Sequence, residues 1–401
     1  MTHQDIAGTP RADATGAASA PAGGGRSELR DLLVTTQTPA LRSGRAMRTY
    51  AIARALAGRR PLDLLYVRFG AQEPDRAFRE IEGIELHEAI ASRGLRRVLA
   101  YMRARGEGVP RTLARAVSPE LTRITARMAR TPGRGRVIAD GPDAAAALMG
   151  LARRQAVIYN AHNLESAFRH ELVDMSERDR RQLTRFETRL LQRFAQSWMV
   201  SDADIEGARA LCPQAEIRYA PNAVDVSGIA PAAPNLAARQ AVFIASFAYL
   251  PNRHALDFLV KEVMPRVWSQ VPEAKLAVAG SGLTEPPSTD PRVSVLGFVE
   301  DLDKLYASSS CAVVPLLQGG GSPLKLVEAL AHGLPAIATQ RACAGLRLRD
   351  GVDCVVANGA AGFAQALARV LRDGAPEIAA EGRRAAERLY SIEALSELIA
   401  P

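Results

Sequence analysis

Apolar residues along the chain fall in short, nearly unbroken runs separated by longer stretches with helical spacing. In the first half the runs are DLLVTTQ (31 to 37), LDLLYV (62 to 67), GRVIAD (135 to 140), AVIYN (156 to 160), SWMVS (197 to 201) and IRYAPN (217 to 222). After PAAPNLAARQ, a Pro- and Ala-rich linker from 231 to 240, come AVFIAS (241 to 246), KLAVAG (275 to 280), VSVLG (293 to 297), CAVVPLL (311 to 317), LPAIAT (334 to 339) and CVVA (354 to 357). Continuous apolar runs, as opposed to alternating ones, predict strands buried on both faces. Strand and helix alternating on either side of a linker predict two doubly wound α/β domains. The expected division is a tail at 1–28, a first domain at 29–225, a second at 226–385, and a C-terminal helix at 386–401 returning to the first domain.

Open parallel sheets collect ligands at the carboxyl ends of their strands. The polar residues just past each run are therefore the ones to weigh. In the second domain they are Ser246, Gly280 with Ser281, Gly297 to Asp301, and Gln318 to Lys325. In the first they are Ser43, Gly44 and Arg45, then Asp140 and Gly141, then Asn160 to Glu165. Two such rows facing across a linker describe a cleft.

Composition adds three points. With 401 residues, two cores are expected in place of one. The first 28 residues are mostly Ala, Gly, Thr and Pro and cannot offset the entropy of ordering, so they read as a disordered tail. That tail lacks the pattern of a signal peptide, and no uninterrupted apolar stretch is long enough for a membrane span, which suggests a cytoplasmic protein. Cys212, Cys311, Cys343 and Cys354 show no metal-binding spacing, and Cys311 and Cys354 sit inside apolar runs as small hydrophobes would.

The net charge of +8 is uneven. Residues 1–225 carry 35 Lys plus Arg against 26 Asp plus Glu, a balance of +9, whereas the remainder balances at −1. Such a field suits an anionic partner in the first half, although a solvated arginine-rich surface explains it as well.

The most unusual stretch is GGGSPLKLVEALAHGLPAIAT, from Gly319 to Thr339. Ser322 reads as the N-cap and Pro323 as N1, and Gly333 with Pro335 ends the helix. Lys325 then falls at N3, where a cation opposes the positive end of the helix dipole. An anion at the helix mouth removes that conflict, and glycine amides before the helix can approach a phosphate closely. Glu328, one turn on, shares a face with Lys325, while Leu326, Val327 and Leu330 turn toward the core. A plain surface ion pair is the competing reading.

This stretch, with AGL at 344 to 346, resembles the nucleotide-sugar site of family 4 glycosyltransferases, retaining enzymes of GT-B fold. FIASFAYLPNRHALDFL (243 to 259), LAVAGSG (276 to 282), VLGFVEDL (295 to 302), PNAVD (221 to 225) and YNAHNLES (159 to 166) follow in the family's order. The resemblance implies that Lys325 contacts the donor phosphates and Glu328 the ribose hydroxyls. It implies that Gly320, Gly321 and Ser322 line the pyrophosphate, and that Ser246, Gly280, Ser281, Phe298 and Val299 border the nucleotide. His162 would approach the transferred sugar, with Gly44, Arg45, Asp140 and Asn163 on the acceptor side. The implied activity is transfer of a sugar from a nucleotide-diphosphate sugar to an acceptor hydroxyl, the acceptor being a small molecule, a glycan or a lipid-linked sugar. Neither a metal nor a cofactor is implied, and nucleic acid is not. Gly320 stands where many members carry the first glutamate of an E-x7-E motif, and Pro323-Leu324 replaces a common Arg.

Other enzymes of the same fold, such as nucleotide-sugar epimerases and phosphorylases, remain alternatives, as does a non-catalytic nucleotide-sugar-binding partner. Asp202-Ala-Asp204 matches a metal-binding DxD but reads better as a helix start capped by Ser201 or Asp202, and Asp301-Leu-Asp303 calls for the same reading. His332 reads as a C-terminal dipole partner, and His254 stays open. In RGLRRVLAYMRARG (93 to 106), Leu95, Val98, Leu99 and Met102 form one stripe with arginines opposite. That pattern fits a helix packed on its own domain, or one lying on an anionic membrane at the inner face.

Overall fold

The computed structural model describes residues 29–41, 43–68, 71–91, 94–167, 175–319 and 322–401. The expected tail and the glycines at 320 and 321 lie outside them. Two parallel sheets form the two domains. The first holds β1 (Arg30–Thr35), β2 (Leu62–Arg68), β3 (Ile84–Ile90), β4 (Arg134–Asp140), β5 (Ile158–Asn160), β6 (Gln196–Met199) and β7 (Ile217–Tyr219), in the order β3-β2-β1-β4-β5-β6-β7. The second holds β8 (Gln240–Ile244), β9 (Lys275–Ala279), β10 (Val293–Gly297), β11 (Cys311–Val314), β12 (Ala336–Ala338) and β13 (Val355–Val356), in the order β10-β9-β8-β11-β12-β13. Strand order reverses beside β1 in one sheet and β8 in the other, which opens a crevice at those carboxyl ends.

The unbroken apolar runs are explained by helices on both faces. Leu32, Val34, Leu65 and Val67 enter one core of the first domain, while Leu33, Leu64 and Tyr66, one residue out of phase, enter the other. Phe243, Val278 and Val313 do the same on one face of the second sheet, and Val242, Ala277 and Val314 on the opposite face.

Two strands depart from the expected burial because they are sheet edges. IELHEAI, the edge strand β3, alternates charged and apolar residues and went unread as a strand, yet it pairs with β2 over seven residues. β10 was read as buried and instead leaves Val295 and Leu296 exposed.

The two chain crossings between domains run side by side. Val224 and Ser391 form a parallel bridge, and Val224 N–H donates to Tyr390 O at 2.9 Å. The helix Pro376–Tyr390 passes through the expected boundary at 385/386 and buries Ala386 and Tyr390 in the second core, so the return crossing lies at Ser391. The last helix, Ile392–Leu398, then packs on the helix Gly44–Ala57, where Ile392, Leu395 and Ile399 join the first domain's core.

Candidate active site

Leu326, Val327 and Leu330 bury one side of the helix Leu324–Ala331 in the second core, which fixes its rotation. Lys325 and Glu328 are left half-buried on the other side. The helix starts later than its sequence suggests. Pro323 keeps an extended conformation (φ −72°, ψ 109°) at the N-cap position, so Lys325 stands at N2 and Ser322 does not cap. Ser322 Oγ is instead buried without a hydrogen-bond partner.

Lys325 Nζ donates to Asn252 Oδ1 at 2.5 Å and lies 5.3 Å from the centroid of the Phe243 ring. Asn252 is itself oriented by donating Nδ2–H to Ser246 O at 2.7 Å. Burial pushes the Lys325 pKa down to about 7, against the pull of Glu328. The same burial pushes Glu328 up to about 7, against the pull of Lys325. Each group is thus poised near neutrality, and an added anion would fix the proton on the lysine.

Gly280 has φ +131°, and a Cβ there would stand 1.7 Å from Ala245 O. Only glycine lets the loops after β8 and β9 meet backbone to backbone. Gly280 N–H donates to Gly297 O at 2.6 Å, and Phe247 N–H donates to Ser281 O at 2.8 Å, so the loops after β8, β9 and β10 adjoin. Ser246 and Ser281 are exposed on them, Phe298 is 76% exposed, and Val299 is half-buried. His254 Nδ1 lies 3.3 Å from Gln318 Oε1 in the loop after β11.

In the first domain, His162 Nε2 lies 2.9 Å from Asp140 Oδ1, and its Nδ1 is buried without a partner. A carboxylate on Nε2 favours the proton there, which leaves Nδ1 as an acceptor. Asp140 also accepts from Thr49 Oγ1 at 2.6 Å and Asn160 Nδ2 at 2.7 Å. Burial raises the Asp140 pKa, but His162, Thr49 and Asn160 together hold it below the ordinary value. Asp140 is 2% exposed, with its carboxylate turned to His162, Thr49 and Asn160. Gly44 is exposed at the start of its helix beside the Ser43 N-cap, Arg45 pairs with Asp143 and Glu165 at 3.4 Å, and Asn163 is half-buried next to His162.

A polar chain that sequence reading missed joins the two halves. Arg48, 2% exposed, donates Nη2–H to Asn160 Oδ1 at 2.6 Å and Nη1–H to Ala220 O at 2.9 Å and Asn222 Oδ1 at 3.2 Å. Asn222 Nδ2 then donates to Ser322 O at 2.7 Å. His162, Asp140, Asn160, Arg48, Asn222 and Ser322 are therefore one network, running from the first sheet through the crossing to the helix of Lys325. Burial lowers the Arg48 pKa to about 10, opposed by Asp140 and Asp204. Nothing local marked Arg48 among so many arginines.

Both DxD stretches are helix starts. Ser201 Oγ accepts from Asp204 N–H, while Asp202 forms a 2.6 Å ion pair with Arg347 of the other domain. Asp301 Oδ1 accepts from Lys304 N–H. Asp303 meets His332 Nε2 at 2.9 Å, and the His332 ring stacks on Tyr306 and places Nδ1 2.7 Å from Glu328 O. Among the described residues, Asp63, Glu85 and His87 group as metal ligands could, at the amino ends of β2 and β3, but Arg30 and Arg134 already pair with Asp63.

Residues 238–373 match the family model of glycosyl transferases group 1. The match covers the second domain with Lys325 and Glu328. The whole fold is similar to HepE of Anabaena in complex with UDP and glucose (TM-score 0.68, 14% identity, 93% of this chain and 98% of that one). It is also similar to sucrose-phosphate synthase of Thermosynechococcus elongatus (TM-score 0.69, 15% identity, 92% and 97%) and to the lipopolysaccharide outer core galactosyltransferase WaaB (TM-score 0.57, 11% identity, 92% and 97%). The architecture is GT-B, two Rossmann-like domains facing across a cleft. No curated protein sequence matches the chain.

Proposed function

We propose that the protein is a retaining glycosyltransferase of the family 4 type that moves a sugar from a nucleoside-diphosphate sugar to an acceptor hydroxyl. The observation that carries this reading is Lys325. A half-buried amine in the first turn of a helix, with its pKa lowered to about 7, sits in an unfavourable place until a diphosphate completes it. The match of residues 238–373 to glycosyl transferases group 1 supports the same assignment.

In this reading Lys325, the amides of Gly320 and Gly321, and Ser322 with its unpartnered Oγ hold the diphosphate. Glu328 accepts from the ribose hydroxyls, and Ser246, Gly280, Ser281, Phe298 and Val299 frame the base. His162 Nδ1 accepts a hydroxyl of the transferred sugar, held in that tautomer by Asp140. Gly44, Arg45 and Asn163 line the acceptor side. Catalysis rests on positioning the two substrates and on stabilising the charge that develops on the leaving diphosphate. The leaving phosphate assists the incoming hydroxyl on the same face of the sugar, so no carboxylate base is needed. The acceptor, a small molecule, a glycan or a lipid-linked sugar, meets the basic first domain, and the reaction takes place in the cytoplasm.

A thermal-shift screen against UDP, GDP, ADP and TDP sugars identifies the donor, because binding raises the melting temperature by mass action. Product analysis with the stabilising donor then separates transfer from its rivals. A new glycoside whose formation needs an acceptor supports transfer, an isomerised donor formed without acceptor points to an epimerase, and binding without turnover to a non-catalytic partner.

A further inference from the structure

The helix Leu95–Gly106 is mounted with its apolar stripe outward. Ala104 is buried, with Ala100 and Tyr101 half-buried, so the opposite face meets solvent. That face carries Leu95, Val98, Leu99 and Met102, exposed by 72, 54, 59 and 60%. Packing on its own domain, the ordinary explanation of such a stripe, is excluded by these values. Contiguous exposed apolar surface of this kind marks a docking face.

The stripe runs into a basic groove. Arg105, one turn beyond Met102, lines a cavity of about 840 Å³ together with Arg178, Arg181, Arg185 and Arg189. The last four follow at spacings of three, four and four, which places them on one side of the helix Glu177–Arg193. Among the described residues, no Asp or Glu lines the groove. Arg181 pairs with Glu177, and Arg189 donates to the carbonyls of Glu107 and Gly108, while Arg178 and Arg185 form no ion pair among the described residues. Among the described residues no helix is long and apolar enough to cross a membrane.

We infer that this face docks on the surface of an anionic lipid bilayer, with Leu95, Val98, Leu99 and Met102 entering the acyl boundary and the arginine groove taking lipid phosphates. Amphipathic surface helices bind bilayers by this combination of apolar area and basic charge. A second copy of the chain fits poorly, because a two-fold contact would set one arginine-rich groove near another. Nucleic acid also fits poorly, since the stripe has no aromatic residue for a base to stack on. The inference is independent of the proposed sugar transfer. It nevertheless places the first domain beside any acceptor carried in the membrane.

The test is co-sedimentation of the full chain with vesicles of phosphatidylcholine alone or with phosphatidylglycerol added. Leu95→Ser with Leu99→Ser, and separately Arg178→Ala with Arg185→Ala, are compared with the wild-type chain. The expected result is binding to the anionic vesicles only, weakened by added salt and reduced about tenfold or more in each double variant. Wild-type affinity in both variants, equal binding to neutral vesicles, or a dimer in light scattering that both variants dissolve would overturn the inference. All four positions are exposed, so melting temperatures should stay unchanged. Should the serine pair lower its melting temperature, the arginine pair, on a different helix, decides alone.

Discussion

Arg48 Nη2 lies 2.6 Å from Asn160 Oδ1, and the same guanidinium reaches Asn222, whose amide holds the carbonyl of Ser322. A fully buried fork thus ties the strand end that carries His162 to the crossing between domains and to the loop before Lys325. Replacing Arg48 with Ala would strip Asn160 and Asn222 of a donor and leave Asp140 without its nearby cation. Breaking a buried charged network costs about 3–5 kcal/mol. Urea unfolding of Arg48→Ala should show a loss on that scale. Arg48→Lys, which keeps the charge but not the fork, should recover part of the stability.

Lys325→Ala should fold normally, since burial already disfavours the charged amine. Its turnover should fall by about a hundredfold, the effect of losing one group that stabilises developing charge. Steady-state kinetics with the donor found by thermal shift checks this, and a near-native rate would remove Lys325 from the reaction.

Donor binding should depend on pH through the same amine. The free site holds Lys325 near pKa 7, and a bound diphosphate raises that value. Below pH 7 the lysine is protonated in both states and contributes no pH dependence. Above pH 7 binding must take up a proton, so affinity falls by up to about tenfold per pH unit until the bound-state pKa is passed. Calorimetric titrations between pH 6 and 9 should show that decline for the wild-type chain and lose it in Lys325→Ala.

Gly141 has φ +82°, and a Cβ there would stand 2.9 Å from His162 Cε1. Gly141→Ala should therefore strain the backbone by about 1 kcal/mol and push the imidazole from its place against Asp140. The melting temperature should fall modestly while kcat falls more, a split that a purely structural role for His162 would not give.

Much of this was legible in sequence because doubly wound sheets hide their strands from water on both sides, and Leu32 to Val34 or Val242 to Ile244 advertise that by unbroken apolar runs. The edge strand β3 shows no such run, because IELHEAI sets charged residues between apolar ones and faces water along most of its length. Lys325 and Glu328 were visible because a lysine in a first helical turn conflicts with local electrostatics. Arg48 and Asn222 conflict with nothing local. Their importance arises only when Arg48 meets Asn222, more than 170 positions on, and Asn222 in turn reaches Ser322 of the other domain. The stripe of Leu95 to Met102 was visible, but its direction was not, since periodicity reports a face without saying what covers it.

The central claim, that the helix of Lys325 is a diphosphate site, is tested most directly by titrating the stabilising nucleotide sugar into the wild-type chain and into Lys325→Ala at pH 7. The account predicts saturable one-to-one binding that weakens by about tenfold or more without the amine, on the scale of a lost charge-assisted contact. Equal affinity in the two proteins would contradict it.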